Sequence, residues 1–194
     1  FKHNDIYIYQ FIMNDKVLWV TGASSGIGAA VANKFANKGW KVAVSARRVE
    51  LLDELAKHEN IFSYPLDVTD AIKLKEVFNK IVNDLGKVDL CILSSGTYER
   101  KSEKEIDVNN IKNVIEVNFL GVINSVGAIE SYFKNKNSGH IAIVSSPVGY
   151  RGLPKSSGYT PSKAALNNFT QGIYFDFIKY NVKVSLICPG FIKT

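Results

Sequence analysis

At 194 residues, 46% of them hydrophobic and 22% charged, the chain has the length of one domain and the make-up of an ordinary globular protein. Its net charge of +6 comes from scattered lysines, and no basic run is interleaved with aromatics, which argues against a nucleic-acid partner. Cys91 and Cys188 stand singly in apolar runs, so free thiols in a reducing, cytoplasmic setting are expected, with no metal, and no run approaches the apolar length that spans a membrane.

Residues 1–12, ahead of Met13, read as a non-native or disordered extension, with a short extra strand as the alternative. Residues 13–194 read as a single domain. Continuous apolar, β-branched runs recur at 16–21, 41–46, 61–66, 88–93, 140–145 and 182–188. Strands buried on both faces of a parallel sheet have this pattern. Helix-like segments at 26–38, 48–58, 70–84, 109–134 and 159–180 separate them. Such alternation predicts a doubly wound α/β sheet, whose ligands sit beyond the carboxyl ends of the strands.

The first run leads straight into Gly22, Gly26 and Gly28, which open a helix. Glycines there let the backbone approach a pyrophosphate, and the helix N-terminus supplies N–H donors. The spacing is neither G-x-G-x-x-G nor a P-loop. The second run is followed by Arg47 and Arg48, adjacent and in place of an acidic residue. In the helix at 109–134, Asn118 shares a stripe with Ile111, Val114, Ile115, Val122 and Val126, so its amide needs a partner. Ser145 and Ser146 follow the fifth run.

Two Tyr-x-x-x-Lys pairs occur, Tyr132/Lys136 and Tyr159/Lys163. Spacing alone does not separate them. Pro161 favours a helix start at the second pair, with Ser156 and Ser157 as capping residues.

The stretches "TGASSGIG", "LDV" (66–68), "VNFLG" (117–121), "IVSSPVG" (143–149), "YTPSK" and "CPGFIKT" (188–194) occur in one order along the chain. Together they resemble the short-chain dehydrogenase/reductase family over about residues 14–194. The resemblance implies a Rossmann-like sheet of order 3-2-1-4-5-6, with the seventh strand missing because the chain stops at Thr194 inside its last motif. It implies a hydride transfer between a nicotinamide and a carbonyl or secondary alcohol. In the family a serine lies thirteen residues before the catalytic tyrosine, and only Tyr159 has one, Ser146. Tyr132/Lys136 is then a surface coincidence.

The resemblance makes Tyr159 the general acid/base, with Lys163 lowering its pKa and holding the nicotinamide ribose. Ser146 would steady the substrate oxygen, Ser145 would be structural, and Asn118 would hold a water between Lys163 and solvent. Cofactor contacts are expected from Thr21, Gly22, Ser24, Ser25, Gly26, Ile27 and Gly28. Others are expected from Asp67, Val68, Ser94, Gly96, Tyr159, Lys163, Pro189, Gly190, Ile192 and Thr194. Arg47, the first contact, and Arg48 favour NADP(H) over NAD(H), since arginine suits a 2′-phosphate and an acid would repel it.

Ser94-Ser95-Gly96 stands where the family usually has Asn-Ala-Gly, a change that loosens the expected support of the sheet. The partners implied are a small-molecule carbonyl or alcohol and a second copy of the chain, in a homodimer or homotetramer through helices 109–134 and 159–180. A non-catalytic dinucleotide-binding sensor or scaffold is the alternative reading.

Overall fold

All five residues of the first strand, β1 (Val17–Thr21), are buried, as its unbroken apolar run demands. A computed structural model describes residues 16–98 and 106–192. The extension at 1–12, Met13 and Thr194 lie outside the described residues. The other strands are β2 (Lys41–Ser45), β3 (Ile61–Ser63), β4 (Leu90–Leu93), β5 (Gly139–Val144) and β6 (Val182–Ile187). They form one parallel sheet in the order β3-β2-β1-β4-β5-β6. The chain winds outward from β1 to β3, then returns to β4 beside β1. That reversal is the switch point at which such sheets bind ligands. Thr21 pairs with Ser45 on one side and Leu93 on the other, so three strands end level there.

β3 is shorter than its apolar run predicts. Tyr64 and Leu66 still donate to the carbonyls of Val44 and Ala46, at 2.9 and 3.0 Å, but Pro65 between them has no N–H to give.

Among the described residues, five helices flank the sheet: α1 (Gly26–Ala36), α2 (Val49–Leu55), α3 (Ala71–Leu85), α4 (Val108–Lys136) and α5 (Tyr159–Ile178). Side chains alternate along each strand, so each face gathers its own core. Val17 and Trp19 join Phe78 of α3, Ile129 and Phe133 of α4, and Phe177 of α5. Leu18 and Val20 join Ala32 and Ala36 of α1 and Leu52 of α2. The Asp70 and Asp107 side chains cap α3 and α4 by accepting from the N–H groups of Lys73 and Asn110.

α4 corrects the expectation that no segment reaches membrane-spanning length, because by length and composition this helix does. Its apolar stripe is spent elsewhere: Val114, Val122, Val126, Ile129 and Phe133 are buried in the protein. The reading of Tyr132/Lys136 as a surface coincidence is also corrected. The Tyr132 hydroxyl accepts from the Val88 N–H at 2.9 Å. Lys136 donates to the Val88 carbonyl at 2.7 Å and to Asp89 Oδ1 at 2.9 Å, while Asp89 Oδ2 accepts from the Val17 N–H at 3.0 Å. The pair pins the entrance of β4 to β1, far from the carboxyl ends of the strands.

Candidate active site

The carboxyl ends of β1, β2, β4 and β5 open into a cleft of about 930 Å³. Its first wall is the turn from β1 into α1. Gly22 has φ +69°, and a Cβ there would lie 2.7 Å from the Ser95 backbone. A Cβ on Gly28 would lie 2.4 Å from the Gly22 carbonyl oxygen. Only glycine lets β1, the β4 loop and α1 meet this closely. The resulting cradle, open above the N-terminus of α1, fits a dinucleotide pyrophosphate. Ser24, Ser25, Gly26 and Ile27 line it, with Thr21 buried beneath.

Ser94 ties the sheet together at the point where a loosened site was expected. Its hydroxyl donates to the Thr21 carbonyl at 2.6 Å, joining the ends of β4 and β1. A serine thus supplies the tie expected of the usual asparagine.

After β2 the two arginines take different partners. Arg48 donates to Ser24 Oγ from Nε and Nη2, at 3.1 and 2.8 Å, and to Ser25 Oγ at 2.8 Å. Arg47 instead lies 3.8 Å from Asp67 Oδ2. Arg48 is thus tied to the turn after β1, and Arg47 faces Asp67. Asp67 also accepts from the N–H and hydroxyl of Thr69, at 3.0 and 2.9 Å. Val68 is held by Asn124, which donates to its carbonyl at 3.2 Å. Gly96, Pro189, Gly190 and Ile192 line the same cleft.

α5 brings Tyr159 and Lys163 to the far wall, one helical turn apart. Its N-cap is Gly158 rather than a serine, because α4 crosses there: a Cβ on Gly158 would sit 3.2 Å from Ile111 Cα. The Ser156 carbonyl accepts from the Thr160 N–H at 3.0 Å.

Lys163 is 5% exposed, and its ammonium donates to the Val144 carbonyl at 3.0 Å. Burial pulls its pKa down to about 8, with Cys188 acting in the opposite sense. Tyr159 moves against expectation. Burial raises its pKa, the hydrogen bond with Ser146 lowers it, and Tyr98 raises it. Lys163 Nζ lies 5.7 Å from the centre of the Tyr159 ring and donates to the Val144 carbonyl. Ser146 is buried at the end of β5, and its Oγ accepts from the Val148 N–H at 3.4 Å. Ser145 is structural as expected, donating to Asn167 Oδ1 at 2.6 Å.

Asn118 is fully buried within a π-helical turn of α4, Glu116–Leu120. That turn re-aims the side chain toward the loop after β4. Its Oδ1 accepts from the Thr97 N–H at 2.7 Å, and its Nδ2 donates to the Thr97 carbonyl at 2.9 Å and to Ser162 Oγ at 3.2 Å. The amide is thus engaged by Thr97 and Ser162.

Tyr98 was missed by sequence reasoning. It lines the cleft with its ring edge-on to Tyr159, the centres 5.0 Å apart. Its position just beyond a strand's carboxyl end was the available signal. Among the described residues no group of three or more His, Cys, Asp or Glu side chains is placed to hold a metal.

A family profile described as short chain dehydrogenase matches residues 16–194. An uncharacterized oxidoreductase of Staphylococcus saprophyticus is 35% identical over 188 residues, 94% of this chain and 80% of that protein. The solved structure of ElxO with NADP bound superposes with a TM-score of 0.86 at 29% identity, covering 92% of this chain and 74% of that one. NAD+-bound xylitol dehydrogenase superposes with a TM-score of 0.87 at 26% identity, covering 94% and 72%. A glycine cradle at the switch point and a Tyr–Lys pair across one cleft are thus met by a matching profile over nearly the whole chain: the protein belongs to the short-chain dehydrogenase family and is an oxidoreductase.

Proposed function

We propose that the protein is an NADP(H)-dependent reductase of carbonyl compounds, or dehydrogenase of the matching secondary alcohols, with Tyr159 as general acid/base. The observation that carries this reading is the convergence of Tyr159, Ser146 and Lys163 on the cleft that also holds the glycine cradle. A bound nicotinamide would supply or accept the hydride. The raised pKa of Tyr159 keeps its phenol protonated at neutral pH, ready to donate to a carbonyl oxygen as charge develops there. Ser146, beside that phenol, would donate to the same oxygen and stabilise it. Lys163 keeps a positive charge beneath the site below about pH 8. In the reverse direction Tyr159 removes the alcohol proton, and Lys163 offsets the phenolate.

The preference for NADP(H) rests on Arg48 and Arg47, with Ala46 in place of an acid between β2 and α2. Both cofactors occur among the structural relatives, so this chain's own side chains decide the preference. Asp67, Val68 and Gly96 would border the adenine and ribose. Asn118 acts by holding the loop at Thr97. Tyr174, Phe175 and Ile178 leave an exposed apolar face on α5 that supports pairing with a second copy. The free cysteines Cys91 and Cys188 support a reducing compartment such as the cytoplasm.

A sensor or scaffold of the same fold would have no use for a tyrosine between a serine and a buried lysine. Loss of reduced-nicotinamide absorbance, followed with NADPH and a panel of ketones and aldehydes, separates the two readings. NADPH binding without any carbonyl-dependent oxidation would sink the reductase reading.

A further inference from the structure

The cleft continues past Tyr159, and what it presents there bears on the substrate. Thr97 is held at both backbone groups by the Asn118 amide, and Asn118 is tied to Ser162 on α5. Tyr98 therefore springs from a fixed point. Its ring lies 5.0 Å from that of Tyr159 at an interplanar angle of 73°, an edge-to-face contact of favourable geometry. Yet Tyr98 is 52% exposed, so much of the ring is left open to the cleft. Pro147, Val148 and Leu153 line the same end, and Leu153 is 45% exposed.

Charge is distributed unevenly in this cleft. Arg47, Arg48 and Asp67 lie with the phosphate turn, at the opposite end. The Lys163 ammonium is engaged with the Val144 carbonyl. Of the described residues that line this cleft, those beyond Tyr159 carry no charge; Arg151 lines the adjoining hollow next to Leu153. Desolvating a substrate carboxylate or phosphate without a partner is costly, whereas apolar surface gains from burial.

We propose that Tyr98 is the specificity-determining wall of the substrate site. It selects neutral carbonyl compounds that carry an aryl group beside the carbonyl. The proposal rests on the reductase reading. The substrate's ring lies against the open part of Tyr98, which directs the carbonyl oxygen to Tyr159 and Ser146. In reduction the carbonyl carbon gains a hydride from NADPH and its oxygen a proton from Tyr159, giving a neutral secondary alcohol and NADP+.

The test compares the unmodified chain, Tyr98→Phe and Tyr98→Ala. Acetophenone, butanone and the anion phenylglyoxylate are each assayed with NADPH. Acetophenone binding to the NADP+-loaded protein is followed in parallel by saturation-transfer NMR. The unmodified chain and Tyr98→Phe should favour acetophenone over both others. Tyr98→Ala should lose roughly five- to tenfold in kcat/KM for acetophenone and much less for butanone, the scale of one aromatic contact. Acetophenone binding should weaken in step. An equal loss for all three compounds, or binding indifferent to Tyr98, overturns the proposal. Tyr98-dependent binding with no turnover of any carbonyl supports the wall and sinks only the reductase reading. Turnover that favours butanone or phenylglyoxylate leaves that reading intact and removes the wall. Neither binding nor turnover removes both.

Discussion

The Arg48 guanidinium is locked onto Ser24, donating to its hydroxyl from both Nε and Nη2. This lock joins the turn after β2 to the turn after β1, the two segments that would flank the 2′-phosphate of the proposed NADP(H). Arg47 reaches only as far as Asp67. Arg48→Ala should therefore weaken NADPH binding by about 1.5–3 kcal/mol, roughly ten- to a hundredfold, since an arginine–phosphate contact is charge-assisted. NADH binding should change little. Arg47→Ala should have the smaller effect. Dissociation constants for both cofactors check this, and an unchanged ratio in Arg48→Ala would return the role to Arg47.

What the sequence made legible was what local chemistry determines. Unbroken apolar runs placed six strands, and the glycines placed the turn after β1, because no other residue fits the approaches at Gly22 and Gly28. The family resemblance, not local chemistry, paired Ser146 with Tyr159. Side-chain direction was not legible. Whether Arg47 or Arg48 turns inward depends on where Ser24 and Asp67 stand in space. The aim of Asn118 depends on a π-helical turn, which the apolar stripe does not encode. Tyr132 and Lys136 looked superficial because their partners, Val88 and Asp89, lie more than forty residues away in the chain.

Lys163 gives the stability a pH dependence of defined sign. Its folded pKa of about 8 lies below its ordinary 10.5. Between these values the unfolded chain binds the proton and the folded chain does not, so stability rises with pH across that window. The full gain is about 3 kcal/mol, and about 2 kcal/mol of it falls between roughly pH 7.5 and 9.5. Lys163→Met should lack this rise. Urea unfolding of both proteins at these two pH values measures the difference; parallel behaviour would mean that Lys163 keeps its ordinary affinity for protons. The raised pKa of Tyr159 works the other way, lowering stability only above about pH 10, beyond the two pH values compared.

The two Tyr-x-x-x-Lys pairs should separate cleanly under the same substitution. Tyr159→Phe keeps the ring against Tyr98 and removes the proton donor, so carbonyl reduction should fall by about a hundredfold or more while NADPH still binds. Tyr132→Phe leaves the Val88 N–H without its acceptor. It should cost about 1 kcal/mol of stability and leave kcat alone. Steady-state rates and urea midpoints of the two variants check both halves. Appreciable turnover in Tyr159→Phe would remove it as the acid.

Asn118 can be tested as an anchor against the water relay that the family resemblance implies. Asn118→Ala strips partners from the N–H and carbonyl of Thr97 and from the Ser162 hydroxyl. Thr97 is only half-buried, so water compensates in part. The expected loss is about 2–3 kcal/mol, which lowers Tm by roughly 5–10 °C in a domain of this size. Tyr98 then loses its fixed origin, and KM for the carbonyl substrate should rise more than the dissociation constant for NADPH. A relay acts differently: without it proton exchange at Lys163 slows, so kcat falls while Tm and KM stay put. Melting curves and steady-state kinetics of Asn118→Ala distinguish these outcomes. A stable variant with depressed kcat and unchanged KM would favour the relay over the anchor.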